Sequence, residues 1–294
     1  MDIGSTAIKA IMLSPGRRTV HLKGFAIAEG ADSPLSPSAT SKAIEEACCG
    51  QTPAMAGTAV ADAEILTDSF TLPAHLDDKA IAARVALHIE TALKKSHDEL
   101  CYDYRLESAT EDNERVVTLV TARQETIAER QRALTETGLD CRLIDVESHA
   151  IARVMQQSGC LPAGESVGII DLGERLRLAV ICDQQCLFRH TVMQFAKGTP
   201  LAIAEAVDRV LALYQGHQQA QSLSSLWLLG GHSDRQLAEL LSNRLQLPVR
   251  CLASALSVHA PESIDKNELQ TALPRLITAI GVAMHLGDPN AHWH

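Results

Sequence analysis

The feature that most constrains this chain is a short pattern that occurs twice. Near the start, Asp2-Ile3-Gly4-Ser5-Thr6-Ala7-Ile8-Lys9 runs into the apolar Ala10-Ile11-Met12-Leu13; far downstream, Val167-Gly168-Ile169-Ile170-Asp171-Leu172-Gly173 again leads a β-rich run into Asp-x-Gly. An aspartate at a strand edge, then small and hydroxyl residues, then a second β-rich run, reads as a hairpin. Its tight turn aims backbone N–H groups toward one point. Such a turn can cradle phosphate. One copy in each half of the chain predicts two similar domains facing each other across a cleft.

Composition narrows the class. With 294 residues, 46% apolar and 21% charged, the chain can bury a full core and is long enough for about two domains. Aromatics make up only 3% and the net charge is -10, which argues against nucleic acid, since stacking platforms are scarce and phosphate backbones attract basic surfaces. Basic partners are favoured instead. No stretch approaches the roughly twenty apolar residues of a membrane span, and no charged-then-apolar signal segment opens the chain, so a soluble, unexported protein is expected. Its eight cysteines are scattered. Cys48-Cys49 and Cys182/Cys186 have no second Cys or His pair at zinc spacing, so they read as buried thiols. His292 and His294 flank a tail tryptophan and amount to a weak adventitious metal site at most.

In chain order, the 15–18 turn and a strand over 20–28 complete an antiparallel meander. A Ser/Pro loop over 32–41, a helix over 42–48 and a strand over 54–60 follow. Residues 65–138 read as a β-α-β-β-α insert. Asp77-Asp78 caps its first helix, where Ile81, Val85, Ile89 and Leu93 form a stripe, and Gly138 closes its last helix. A buried strand over 141–146 then leads into a helix at Glu147, where the helix dipole favours a carboxylate; for position alone, a plain N-terminal charge and a functional role weigh equally. Beyond the 158–166 linker a second meander over 168–192 opens on its own Asp-x-Gly. Next come a Thr199-Pro200 helix with Ile203, Val207, Val210, Leu211 and Tyr214 inward and a strand entering Gly230-Gly231. A helix capped by Ser233-x-x-Gln236 follows, and a last helix over 269–286 carries Ala279-Ile280-Gly281. The small residues in that last helix predict a close helix approach. The expected division is 1–64 plus 139–164, 65–138, and 165–294.

Asp2-Ile-Gly-Ser-Thr, Ile144-Asp-Val-Glu147, Ile170-Asp-Leu-Gly173, Leu228-Leu-Gly-Gly231 and Ala279-Ile-Gly281 stand in the order of the five nucleotide-site motifs of the actin-like ATPase superfamily. Within it the chain resembles the PilM family of type IV pilus assembly proteins and its shortened HofM-type relatives. The resemblance also rests on Leu143-Ile-Asp-Val-Glu-Ser-His-Ala150 and Leu247-Pro-Val249. The insert looks like the subdomain that PilM shares with the division protein FtsA, with Leu100-Cys-Tyr-Asp-Tyr104 matching a recurring family stretch.

The resemblance implies an α/β, actin-like (ribonuclease H-like) bilobed fold with a small inserted α/β subdomain and a reduced second lobe. It implies a cytoplasmic protein, peripheral at the inner membrane, that binds the N-terminal tail of a PilN-like membrane protein between the first lobe and the insert. Through that tail it would reach a PilO-like protein, in pilus assembly, competence-type DNA uptake or secretion. It leaves homo-oligomerisation open. If ATP and Mg bind, the resemblance has Asp2 and Asp171 hold the metal. Gly4, Ser5, Thr6, Lys9, Asp171 and Gly173 would surround the phosphates, Glu147 would orient water, and Gly230 with Gly231 would pass under the adenosine.

The departures from the family weigh against ATP. The second phosphate turn continues with Glu174-Arg175-Leu176 in place of small or hydroxyl residues, and a carboxylate there repels a triphosphate by on the order of a kcal/mol or more unless Arg175 turns inward. His232 stands in the adenosine loop, where close backbone approach is needed. Between the second meander and the strand near Leu226 only one helix fits, where full-length relatives place a wall of the adenine pocket. Met1 directly precedes Asp2, so the strand carrying that aspartate is expected to be cut short or to begin upstream. The expectation is therefore an adaptor with a vestigial nucleotide site and no catalytic residue. A working ATP-binding ATPase is the alternative, and a sugar or acetate kinase is disfavoured because no second catalytic carboxylate stands out.

Overall fold

The computed structural model describes the whole chain except residues 5, 15–19, 30–36, 52, 54, 95–98, 109, 111, 184, 193–198, 219 and 289–294. Ser5, the 15–18 turn, the first part of the 32–41 loop and the tail histidines His292 and His294 thus lie outside the described residues.

In the first lobe, β1 (Asp2–Ile3), β2 (Ala7–Leu13) and β3 (Val20–Glu29) are antiparallel neighbours. β4 (Met55–Val60) pairs in parallel with β8 (Asp140–Val146). The Met1 nitrogen donates to the Gly57 carbonyl at 2.7 Å, setting the short β1 beside β4. The lobe therefore runs β3-β2-β1-β4-β8. The second lobe has the same order: β9 (Ser166–Leu172), β10 (Leu176–Cys182), β11 (Gln185–Val192), β12 (Leu223–Leu229) and β13 (Val249–Cys251) lie β11-β10-β9-β12-β13. β10 is antiparallel to both its neighbours, and β12 is parallel to β9 and β13. This is the ribonuclease H-like order met twice, which makes the bilobed actin-like α/β architecture. Among the described residues the second lobe is lean, with α5 (Pro200–Gln215) alone between β11 and β12.

Helices cover each sheet as apolar periodicity dictates. α1 (Pro37–Cys48) and α3 (Gln124–Thr135) bury Ala43, Ala47 and Leu134 against Ile8, Ala10 and Ala26. α5 and α6 (Arg235–Leu245) bury Val207, Val210 and Leu241 on Ile170, Leu178 and Leu226. The other face of that second sheet, through Ile169 and Trp227, receives α4 (Glu147–Gln157) and α7 (Lys266–Leu286). The far side of this helix pair meets β4 and β8 through Ala59, Leu143, Ala150 and Val282. α4 and α7 thus sit between the two sheets, each buried Leu or Ile contributing about 1.5–3 kcal/mol. Their approach is as close as the small residues predict: a Cβ on Gly281 would lie 2.0 Å from the Ala150 carbonyl oxygen. Although α7 comes last in the chain, it packs on β2, β4 and α4. Just before it, β14 (Val258–His259) joins β3 in parallel at Val20 and His21.

Residues between β4 and β8 build a separate antiparallel sheet, β5 (Ile65–Pro73), β7 (Glu114–Arg123) and β6 (Leu100–Leu106), in the order β5-β7-β6. α2 (Asp78–Ala92) is capped by Asp77, whose carboxylate accepts from the Ala80 N–H at 2.8 Å. It buries Ile81, Val85 and Ile89 on Leu72, Tyr104, Val117 and Leu119. At the root of the insert, Ile65, Val120 and Ala122 rest on Val60 and Val146 of the first lobe.

Several local expectations are corrected. α1 starts at Pro37, five residues before Lys42, with proline at its first position, where a missing N–H costs nothing. α6 is capped by Asp234, whose carboxylate accepts from the Leu237 N–H at 2.7 Å, while the Ser233 hydroxyl donates to the Gly230 carbonyl at 2.8 Å. The charged acceptor takes the cap and the serine braces the preceding turn. α7 begins at Lys266 because Asp265 accepts from the Asn267 and Glu268 N–H groups at 2.9 and 2.8 Å.

Candidate functional site

The two lobes enclose a cleft of about 1860 Å³. Apart from Ser5, it brings together the residues singled out from the two turns and the Gly-Gly loop: Asp2, Gly4, Thr6 and Lys9 from the first lobe, and Asp171, Gly173, Gly230 and Gly231 from the second. Glu147, at the first turn of α4, lines it as well.

Strand register builds the centre of the site. In the β1–β2 hairpin Asp2 lies opposite Lys9, whose Nζ donates to Asp2 Oδ2 at 2.6 Å. In the β9–β10 hairpin Asp171 lies opposite Arg177. The Arg177 Nε donates to Asp171 Oδ2 at 3.0 Å and Nη2 binds the same oxygen, while Nη1 reaches Glu147 Oε2. Each phosphate-type aspartate thus has a cation directly across its own ladder, and Arg177 joins Asp171 to a carboxylate on the element that follows β8.

The site residue that sequence reasoning missed is Arg177. Arg175 is the cation the sequence offers against Glu174, and it does line the cleft, but the engaged guanidinium sits two positions on. The signal was present in the alternation. In a hairpin that pairs Leu172 with Leu176, residues 171 and 177 share a face.

Electrostatics bind these groups into one cluster. Burial works against the Asp2 charge, yet Lys9 and then Arg177 hold its carboxyl below the usual range. Burial likewise opposes the charge on Lys9, and Asp2, Asp171 and Glu147 more than offset it, raising the ammonium. Burial, aided by Asp2 and Asp62, pushes Glu147 up to about 7 against the pull of Arg177. Although burial opposes it too, Arg177 is held firmly protonated by Asp171 and Glu147.

The backbone groups of the turns are engaged internally. The Gly4 N–H donates to the Ala7 carbonyl at 3.0 Å, closing the first turn on itself. The Gly230 N–H donates to Pro274 inside α7 at 2.9 Å, and the His232 N–H to Leu172 at 3.1 Å. Gly230 has φ +90, and a Cβ there would lie 2.5 Å from Asp171 Oδ1, so this glycine lets the loop close over the aspartate turn. Gly231 carries no such constraint: a Cβ would meet only the Arg275 side chain, at 3.6 Å.

A second polar network ties the insert to the same hairpin. Arg189 on β11 donates to Asp62 Oδ1 at 3.1 Å and to the Thr67 hydroxyl oxygen at 3.1 Å, Ser148 donates to Asp62 at 2.5 Å, and Gln185 donates to Glu107. Behind the cleft, Asp145 accepts from Arg153 at 2.7 Å and pairs with His285 at 3.0 Å. Burial opposes its charge, but the His285 hydrogen bond and Arg153 hold its carboxyl low. On the insert, the neighbours of Thr121 on the same sheet face, Leu66 and Tyr102, are 57% and 38% exposed.

Among the described residues no group of three or more His, Cys, Asp or Glu side chains is arranged to hold a metal ion. No helix among them is long and apolar enough to cross a membrane.

Against known proteins, the chain is similar to a solved PilM-PilN type IV pilus biogenesis complex, at 20% identity and TM-score 0.74 over 98% of each chain. It is also similar to the cytoplasmic domain of EpsL, an inner membrane component of the type II secretion system of Vibrio cholerae, at 12% identity and TM-score 0.48 over 92% of this chain and 89% of that one. The ethanolamine utilization protein EutJ of Carboxydothermus hydrogenoformans matches at 13% identity and TM-score 0.48, over 96% of this chain and 87% of that one. The model of the type IV pilus assembly protein PilM family matches residues 1–196. By that match, which spans more than half its length, the chain belongs to the PilM family of type IV pilus assembly proteins.

Proposed function

We propose that this protein is an adaptor of type IV pilus assembly, or of a related DNA-uptake or secretion machine. It captures the N-terminal cytoplasmic tail of a PilN-like membrane protein and does so without nucleotide. The PilM-PilN complex among its structural relatives supports the choice of partner. The carrying observation is that the carboxylates Asp2, Asp171 and Glu147 already hold Lys9 and Arg177. Such a set does not fit a magnesium triphosphate: the metal would have to displace an arginine bound to two carboxylates, and the Gly4 N–H is turned inward. The cleft is also lined by nine carboxylates against five Lys and Arg side chains, the wrong balance for a polyanion.

In this reading the protein sits at the cytoplasmic face of the inner membrane through its partner and reaches a PilO-like protein indirectly. The segments 1–64 with 139–164, 65–138, and 165–294 act as its units, with α7 riding on the first lobe. The tail lies at the root of the insert, with Leu66 and Tyr102 as apolar anchors beside Thr121. Asp68 and Glu64 nearby suit a basic residue of the tail, and the net charge of -10 suits it generally. Titrating a synthetic PilN N-terminal peptide into the purified chain by calorimetry tests this. Equal affinity with and without Mg-ATP is expected, and absence of binding in both conditions overturns the reading.

The second reading, an ATPase whose nucleotide sets the angle between the lobes, is favoured by the cleft itself, whose volume exceeds that of most small-molecule pockets. Micromolar Mg-ATP binding abolished by Asp171→Ala would establish it in place of the first.

A further inference from the structure

The guanidinium of Arg177 adds a polar link, at the cleft, to the apolar packing of α4 on the second sheet. It belongs to β10 of the second lobe and takes Asp171 of its own sheet with Nε and Nη2. With Nη1 it takes Glu147, which opens α4 directly after the last strand of the first lobe. A planar fork that can bind two carboxylates at once fixes distance and direction together, which a single ammonium does not. The side chain is 36% exposed at the cleft, while both carboxylates are nearly buried. Without the guanidinium, Glu147 and Asp171 would face each other and Asp2 across the cleft with only Lys9 between them. Its loss leaves buried carboxylates short of their counter-charge and removes the polar link between the start of α4 and β10, which loosens the cleft at that point.

The hairpin that carries Arg177 also reaches the insert. Arg189 on β11 holds Asp62 and Thr67, and Gln185 holds Glu107. In the register of the hairpin, Arg177 pairs with Thr191 and Arg189 with Ala179, so the two arginines sit on adjacent strands, two residues apart on one face of a single ladder. Any rotation that releases Glu147 pulls on the insert contacts as well.

We propose that Arg177 is an internal strap, a tethered cation that holds the lobes at one fixed angle and keeps the insert in register with them, so that closure is permanent instead of waiting for a ligand. This deepens the adaptor reading and rests on it. A protein whose cleft closes only on a ligand depends on that ligand to populate the closed state, whereas a built-in counter-charge populates it at all times.

The test uses the full chain. Hydrogen exchange is followed by mass spectrometry at the start of α4, along β11 and at the start of β5, and the affinity for the PilN tail peptide is measured alongside. Arg177→Ala should lose protection at all three segments by about tenfold and bind the tail more weakly, with far-UV circular dichroism unchanged. Millimolar methylguanidinium should restore both, because it refills the vacated position. The exposed Arg235→Ala, which pairs with Glu239 on its own helix, should change neither. Should Arg177→Ala not fold, Arg177→Lys replaces it: a single ammonium should keep the fold and lose part of the protection. Wild-type protection in a folded Arg177 variant, or a loss that methylguanidinium leaves untouched, overturns the strap. Failure of the adaptor reading looks different, since it appears in the wild-type chain as no tail binding at all or as tail binding that requires Mg-ATP.

Discussion

Lys9 stands directly across the β1–β2 ladder from Asp2, and their side chains meet at 2.6 Å. Asp171 and Arg177 hold the corresponding places in the β9–β10 ladder of the second lobe. Because both sheets share one strand order, the two pairs are equivalent positions of a repeated design, each turning an aspartate that could bind metal toward a cation of its own sheet. Removing one member leaves a buried charge unmatched, while removing both leaves none. Asp2→Asn and Lys9→Met should each lower stability by about 3 kcal/mol, and the double variant should lose clearly less than the sum. Urea unfolding of the four chains measures this, and strict additivity would show that the pair does not interact.

The glycines separate packing from ligand binding. A Cβ at Gly281 would strike the Ala150 carbonyl, and one at Gly230 would strike the Asp171 turn at a positive φ, whereas at Gly231 it would meet only a flexible arginine. Gly281→Ala and Gly230→Ala should each cost about 1–3 kcal/mol or more, and Gly231→Ala should lie within the ordinary scatter of surface changes. Thermal unfolding checks the order. Equal losses at Gly230 and Gly231 would contradict it.

Two carboxylates shape the pH profile in opposite senses. Asp145 is held low, so the stability it supplies is present above its unfolded value near 4 and is lost as pH falls through its lower folded value. Asp145→Asn should therefore flatten the acid limb of the stability curve. Glu147 is raised to about 7, so its stabilisation is complete below its unfolded value near 4.3 and is lost as pH rises through about 7. Relative to the wild type, Glu147→Gln should gain stability from pH 5 toward pH 8. Burial holds His149 below its ordinary value, and it is present in both chains of that comparison. Denaturant midpoints across pH test both signs.

The root of the insert is the proposed seat of the partner tail. Leu66→Asp and Tyr102→Ala should each weaken tail binding by about tenfold or more while leaving thermal stability near the wild type, because both side chains are exposed in the free protein. Leu87→Asp, at another exposed apolar position on α2, is the matching control.

Much of the architecture was legible because its signals are local. Asp77 at α2 and Thr199-Pro200 at α5 mark helix starts within four residues, and the buried stripe of α5 shows in its periodicity. β13 and β14 are only three and two residues long. They exist only because β12 and β3 are there to pair with them, and nothing in so short a stretch announces its partner, which for β14 lies more than 200 residues away. The amphipathic pattern of α7 shows that it is buried without showing between which sheets. At the site, the aspartates and glycines were readable as motifs, while Arg177 had to be read from register. Asp62 and Arg189 meet only because β11 comes up against the segment that leads from the first lobe into the insert.

The return of the chain at its end has a mechanical consequence. Backbone crosses between the halves twice, once through the 158–165 loop and again where β14 and α7 rejoin the sheet of β3. A protease cut in that loop would yield two bands under denaturing conditions yet one particle on a native column, since the C-terminal piece is woven into its counterpart. The same loop is thus where a circularly permuted form of the protein could be opened.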